Sequence, residues 1–218
     1  MRRAGSLSSR AEQSNFKSVL GGTISQFKHK QTIYSQGETA DTLFYIREGH
    51  VMLTVRPKRR RPAAVGVLDS GDFFGQSCLA DVPDRLCTAT AVGSSSILTI
   101  KKKDMVRILR GDSITSNCFL SYLLVANRKY QEQVIDLLVN PAGQRLARVL
   151  LRLAQSSAKG GRIDGITQTD LANMAGTTRT RTNFHMTQFR KRGFIRYHGT
   201  TKTVIQVQPS LRTRYLRD

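Results

Sequence analysis

The sequence predicts an α+β chain in three consecutive parts: a roll of short β-strands, one long helix, and two short helices joined at a glycine and followed by a β-hairpin. Three observations carry this prediction. Runs of four to six apolar or alternating residues recur between Phe27 and Ile100, each bounded by Gly, Asp or Pro. A helical pattern then continues from about Ser113 to Val139. Residues 166–195, ITQTDLANMAGTTRTRTNFHMTQFRKRGFI, finally join an apolar helix to a second one rich in Arg, Thr and Asn.

The strand-like runs are Gln31–Tyr34, Thr42–Ile46, His50–Val55, Ala64–Leu68, Cys87–Val92 and Ser96–Ile100. Between them stand Gln36-Gly37-Glu38, Arg47-Glu48-Gly49, Asp69-Ser70-Gly71-Asp72 and Asp81-Val82-Pro83-Asp84. Many short strands at regular spacing close on themselves and so protect their edges. Residues 21–112 are therefore expected to form a β-roll of the double-stranded β-helix or jelly-roll type. The Arg56–Pro62 segment, RPKRRRP, carries prolines and like charges that suit an exposed hairpin loop. Residues 1–20 are basic with no apolar stretch behind them, which predicts a disordered basic tail rather than a secretory signal.

Two stripes run along the long helix. Leu120, Leu124, Asn127, Gln131, Val134 and Leu138 step by four and three, a coiled-coil seam with two polar members. Phe119, Leu123, Ala126, Tyr130 and Leu137 lie beside it. A helix apolar on two faces must bury both. One face is expected against the β-roll and the other against a second copy of the chain, with Asn127 specifying register. This makes 113–140 a dimerisation helix; the alternative is a helix buried within one chain.

Asn140-Pro141 breaks that helix, because proline lacks the N–H and disfavours a helical residue before it. Residues 142–157, AGQRLARVLLRLAQSS, form an amphipathic helix, and Ser156 to Gly165 a loop of small residues. Thr167 is placed to N-cap the next helix, with Asp170 returning the hydrogen bond of a capping box. Leu171, Met174 and Ala175 give it an apolar face, and Gly176 ends it where a positive φ costs little. Thr177 or Thr178 caps the second helix, whose Met186 and Phe189 face inward and whose first turns carry Arg179, Thr180, Arg181 and Asn183. Arg190-Lys191-Arg192 follow, and Gly193 closes the helix. Ile195–Tyr197 and Val204–Val207 then form a hairpin, the wing of a winged helix-turn-helix over 141–218. The bland alternative is an αα-hairpin with a solvated basic face.

The net charge of +20 is unevenly spread: residues 141–218 hold 15 Lys and Arg against three acids, residues 1–140 hold 20 against 12. Such asymmetry places a polyanionic partner on the C-terminal part. A membrane surface is disfavoured, since no run of about 18 apolar residues exists. Cys78, Cys87 and Cys118 are scattered, with no CxxC and no nearby histidine pair. That pattern argues for a reducing cytoplasm and against a zinc or iron–sulfur site. Paired catalytic carboxylates, a nucleophile elbow and a phosphate-binding loop are all missing, so no enzyme is expected.

Gly37-Glu38, Gly49, Gly71-Asp72-Phe73-Phe74-Gly75, Thr88-Ala89-Thr90-Ala91, Arg145-Leu146-Ala147 and Thr177-Thr178-Arg179 occur in this order and at this spacing. Together they resemble the Crp/Fnr family of bacterial transcription regulators, from about Phe27 to the end. The resemblance implies a cytoplasmic homodimer that binds double-stranded DNA and works with RNA polymerase. It also implies a β-roll that can hold a cyclic nucleotide. In the family a Gly-Glu pair after the FFG stretch binds the ribose hydroxyl, and an Arg before Ser/Thr-Ala binds the cyclic phosphate.

This sequence departs from the family at both places, with Gln76 after Gly75 and Cys87 before Thr88-Ala89. A thiol cannot neutralise a phosphate, and an unpaired phosphate in a pocket costs several kcal/mol, enough to erase micromolar affinity. Arg85, two residues before Cys87, would point to the same side if the chain there were extended. Family residues that reach the nucleotide base fall at Tyr130 and Gln131. The pocket residues Gly75, Gln76, Arg85, Cys87, Thr88, Tyr130 and Gln131 are thus expected to form a degenerate effector site. No cofactor is expected. The base-reading positions fall on Arg179, Thr180, Asn183 and Phe184, and phosphate contacts on Thr178, Arg181, Gln188 and Lys202. The resulting expectation is a dimeric, sequence-specific DNA-binding regulator that does not depend on cAMP. The alternative is a ligand-gated regulator whose β-roll binds cAMP, cGMP or another small effector.

Overall fold

The computed structural model describes residues 21–57, 62–155, 160–198 and 204–215. The expected basic tail, most of the RPKRRRP loop and the wing tip with Lys202 lie outside the described residues.

Six strands build the roll: β1 (Thr23–Phe27), β2 (Thr32–Tyr34), β3 (Thr42–Val55), β4 (Ala63–Asp69), β5 (Phe73–Phe74) and β6 (Thr88–Lys101). Its spine is the antiparallel β3–β6 pair, running in register from Thr42 opposite Lys101 to Thr54 opposite Thr88, with shifts around Glu48. β1 and β2 pair with β6, and β4 and β5 with β3. Strand alternation sorts the side chains onto two faces. Phe44, Ile46, Val51, Leu53, Leu68, Phe74 and Ile97 fill the roll interior with Tyr34. Leu43, Tyr45, Phe73, Leu98 and Ile100 face outward under two helices, α1 (Lys102–Gly111) and α2 (Ser113–Val139). α1 did not stand out in the sequence pattern.

Asp112 starts α2 by accepting from the N–H groups of Ile114 and Thr115, each at 3.1 Å. Phe119, Leu123 and Tyr122 of α2 pack on the outer face of the roll, and Tyr130 reaches its inner cluster. The Tyr122 hydroxyl accepts from the Phe73 N–H at 2.6 Å and donates to the Phe73 carbonyl at 3.0 Å, which pins helix to strand. The seam residues Leu120, Leu124, Asn127, Gln131, Val134 and Leu138 are all exposed on the other side, Leu138 by 80%.

The C-terminal part holds α3 (Ala142–Gln155), β7 (Arg162–Ile163), α4 (Gln168–Met174), α5 (Arg179–Lys191), β8 (Ile195–His198), β9 (Val204–Val207) and α6 (Ser210–Tyr215). β8 and β9 pair from Ile195 opposite Val207 to His198 opposite Val204, the hairpin expected after the second helix. One apolar core joins Leu146, Leu150, Leu153, Leu171, Met186, Phe189, Ile195 and Leu211. Met52 of β3 and Val92 of β6 belong to this same core, so the two parts are docked on each other. The His29 Nε2 stands 3.5 Å from a carboxylate oxygen of Asp170, and Arg152 Nε 3.8 Å from Asp69. Among the described residues no helix is long and apolar enough to cross a membrane.

Substituting Tyr122→Phe removes both hydrogen bonds to Phe73 and should destabilise the fold by about 1–3 kcal/mol. A lowered midpoint in urea unfolding, with an unchanged slope, is the expected reading.

Candidate nucleic-acid interface and effector pocket

α4 begins with the expected capping box. The Thr167 hydroxyl accepts from the Asp170 N–H at 3.2 Å, and the Asp170 carboxylate accepts from the Thr167 N–H at 2.9 Å. After α4 the chain reverses at Gly176, where φ is +58°. Of the two threonines that offered a cap, Thr178 serves: its hydroxyl accepts from the Arg181 N–H at 3.3 Å and α5 starts at Arg179.

Thr182, Met186 and Phe189 are the buried face of α5, spaced four and three apart. Opposite them Arg179, Thr180, Arg181, Asn183 and Phe184 are exposed, Phe184 by 60%, together with Thr178 at the cap. Gln188 is half-buried lower on the helix. Gln168 of α4, which the sequence had not singled out, donates from Nε2 to the Asn183 side-chain oxygen at 3.4 Å and so joins this surface. No acidic residue occurs in α5. Among the described residues, no carboxylate stands within ion-pair distance of Arg179 or Arg181. Asp170, the nearest acid in sequence, is buried in its capping box. The exposed face is thus a set of cationic and hydrogen-bonding groups on a narrow helix, suited to a major groove about 12 Å wide.

His185 is packed rather than presented. A Cβ at Gly143 would come within 3.0 Å of its ring, so the imidazole rests on the start of α3. Burial, and then the nearby Arg181 charge, hold its pKa below the ordinary histidine value.

The residues assigned to the effector pocket are mostly engaged with protein groups. Arg85 is only 4% exposed. Its Nη1 donates to the Gly75 carbonyl at 3.2 Å, and its Nη2 to the Thr42 carbonyl at 2.7 Å and hydroxyl at 2.8 Å. The guanidinium carbon lies 4.5 Å from the Tyr34 ring centre and 5.4 Å from that of Phe44, a cation–π arrangement. Phe44 stacks in turn on Phe74 at 4.9 Å. Gly75 has φ +73°, and a Cβ there would come within 2.6 Å of Arg85 Nη1, so the close approach needs glycine. Only Nε of this guanidinium lacks a hydrogen-bond partner among the described residues.

Cys87 Sγ lies 3.9 Å from the Tyr34 hydroxyl, and burial pushes its thiol pKa up. The Thr88 hydroxyl accepts from the Gln36 N–H at 3.0 Å. Tyr130 packs against the aromatic cluster, whereas Gln131 is exposed on the seam face, so the two neighbours serve different surfaces. Gln76 opens the short 3-10 turn Gln76–Ala80 and is half-buried. The extended strand expected to start at Cys87 starts at Thr88, and residues 86–87 form a bend. Arg85 and Cys87 nevertheless point to one side, both against Tyr34, with Arg85 reaching under Gly75 and Leu86 between them 81% exposed. Tyr34, Thr42 and Phe44, read from sequence only as strand residues, are the missed members of this site.

A separate cleft of about 540 Å³ lies between β4, α2 and α3. Asp72–Lys129 at 2.9 Å, Asp136–Arg148 and Asp69–Arg152 tie its walls together.

The fold and the exposed helix define a two-part regulator, a sensor-like β-roll carrying a DNA-reading winged helix. Comparison with known proteins agrees part by part. Residues 24–112 match the cyclic nucleotide-binding domain and residues 144–213 the Crp-like helix-turn-helix domain. The chain is 25% identical over 178 residues to a CRP-like cAMP-activated global transcriptional regulator of Mycobacterium tuberculosis, covering 79% of this chain and 80% of the relative. It is 26% identical over 187 residues to the cAMP-activated global transcriptional regulator Vfr of Pseudomonas aeruginosa, covering 82% and 87%. Its fold is shared with FixK2 from Bradyrhizobium japonicum (TM-score 0.71, 19% identity, 89% and 97% covered). The same holds for the CRP-family regulator TTHB099 from Thermus thermophilus (TM-score 0.73, 21% identity, 88% and 97% covered). The chain belongs to the Crp/Fnr family and is a DNA-binding transcription regulator.

Because the folded pKa of His185 is lowered, the fold favours its neutral ring. Stability is complete above the unfolded value of about 6.5 and falls as pH drops through it. Melting temperatures between pH 7.5 and 5.0 should decline more steeply for the natural chain than for His185→Gln, which removes this titration.

Proposed function

We propose that the chain acts as a homodimer that reads a near-palindromic DNA site without needing cAMP. The observation that carries this reading is the buried Arg85. It holds the Gly75 and Thr42 carbonyls and stacks on Tyr34 and Phe44, at the place where relatives of this kind would accommodate a ligand. Gln76 and Cys87, in place of a carboxylate and a guanidinium, remove the two polar anchors a cyclic nucleotide would need. The winged helix docks onto β3 and β6 through Met52 and Val92, which supports a reading head seated directly on the roll.

The exposed seam of α2 supports dimerisation, since its leucines and valine need a partner and Asn127 and Gln131 set register. Two copies of α5 would then enter successive major grooves about 34 Å apart. Arg179 pairs with guanine O6 and N7, Asn183 with adenine, and Thr180 or Phe184 with a thymine methyl. Thr178, Arg181, Gln188 and Lys202 hold phosphates. RNA polymerase is the expected protein partner and the cytoplasm the expected location.

A ligand-gated action is the second reading, favoured by the unpartnered Nε of Arg85. Melting the protein with cAMP or cGMP separates the two. A nucleotide at a hundredfold its Kd would stabilise the fold by about 2.7 kcal/mol, several degrees in Tm. No shift is expected, and a clear rise would overturn nucleotide independence.

Selection from a random DNA pool should return one preferred site with and without nucleotide. Arg179→Ala should weaken binding to that site by about 1–3 kcal/mol and relax the base choice at one position per half-site. Equal affinity for all sequences would sink the regulator mechanism in favour of a non-specific binder.

A further inference from the structure

A dimeric reader needs its two recognition helices at a set distance and angle from the dimer axis. In this chain one of the contacts that set this relation is the joint where the last turn of α2 meets the turn between α4 and α5. Arg145, in the first turn of α3, binds both sides of the joint. Its Nη1 donates to the Asn140 carbonyl at 2.7 Å and the Leu137 carbonyl at 3.5 Å. Its Nε donates to the Ala175 carbonyl at 2.8 Å and its Nη2 to the Gly176 carbonyl at 3.0 Å.

Both targets are helix C-termini, where carbonyls lack intrahelical donors and the macrodipole is negative. A guanidinium can satisfy two such ends at once because its donors fan out in a rigid plane; an ammonium has no such fork. None of the ion pairs among the described residues uses Arg145, so its charge serves these carbonyls.

Packing reinforces the joint independently. A Cβ at Gly176 would come within 2.6 Å of Leu137 Cδ2, so the helix-turn-helix corner sits directly on α2. Asp136 of α2 pairs with Arg148 and accepts from the Asn140 Nδ2 at 2.8 Å, bracing the same turn. These residues lie neither on the exposed reading face nor among the pocket residues around Arg85.

We propose that Arg145 is a positioning residue that, through Gly176 and Leu137, fixes the offset of α5 from the dimer axis and thereby the half-site spacing the dimer accepts. This rests on the dimeric DNA reading proposed above. One base pair changes the separation of two half-sites by about 3.4 Å and rotates one against the other by about 34°. A stiff joint rejects such a change and a loosened joint tolerates it.

The test uses the full chain and a DNA series in which two copies of the selected half-site are separated by spacers varied one base pair at a time. The natural chain should prefer one spacer by about tenfold or more over its neighbours, the scale set by one or two charge-assisted hydrogen bonds. Arg145→Ala should flatten that preference while leaving the base choice within each half-site unchanged, and Arg145→Lys should fall between. Leu137→Ala should flatten it less, and it decides the matter if Arg145→Ala fails to melt cooperatively. Retention of the natural spacer preference by the folded variants would overturn the proposal. A loss of affinity equal at every spacer would also overturn it, by making the role of Arg145 merely structural. So would a natural chain that accepts all spacers alike while still reading its half-site. A natural chain with no preferred half-site would instead remove the dimeric DNA reading and this inference with it.

Discussion

The 27-residue helix Ser113–Val139 is apolar on more of its circumference than one chain can cover, and the rest of the molecule is arranged around that constraint. One side closes the β-roll with Phe119, Tyr122, Leu123 and Tyr130. The opposite side leaves Leu120, Leu124, Val134 and Leu138 in solvent, a row that water makes unfavourable. Its far end, past Leu137, is the seat of the helix-turn-helix corner. Roll, exposed seam and helix-turn-helix corner therefore share one helix.

Charge acts on a second level. The chain carries +20 overall, and the two described acids of the C-terminal part, Asp164 and Asp170, are both paired. Asp170 is consumed by its capping box and by His29, and Asp164 pairs with Arg162 at 2.8 Å. What remains on the exposed side of α5 is cationic and hydrogen-bonding, a surface that attracts phosphate. The same economy appears inside the roll. There Arg85 has no carboxylate partner among the described ion pairs and is held by carbonyls and ring faces.

Much of this was legible in the chain. The short apolar runs Thr42–Ile46 and Ser96–Ile100, the seam from Leu120 to Leu138, the Thr167–Asp170 capping box and the Gly176 turn are local or periodic signals, and each is written in residues close together in sequence. The exposed set on α5 followed from the same periodicity, because burying Thr182, Met186 and Phe189 leaves only one other face. Helix α1 escaped notice because its short basic sequence, KKDMVRILRG, buries little besides Met105. The partners of Arg85 were hidden for a different reason: they include a carbonyl of Thr42, 43 residues away.

By itself, then, the sequence determined the order of the parts, the helix boundaries at Pro141, Thr167 and Gly176, and the basic character of the reading helix. These follow from propensity, capping and period, which act over a few residues. Only the tertiary structure decided that Tyr34, Thr42 and Phe44 surround Arg85 and that Arg145 joins the ends of two helices. Those arrangements join residues far apart in the chain, and no local rule encodes which carbonyl a buried guanidinium will find.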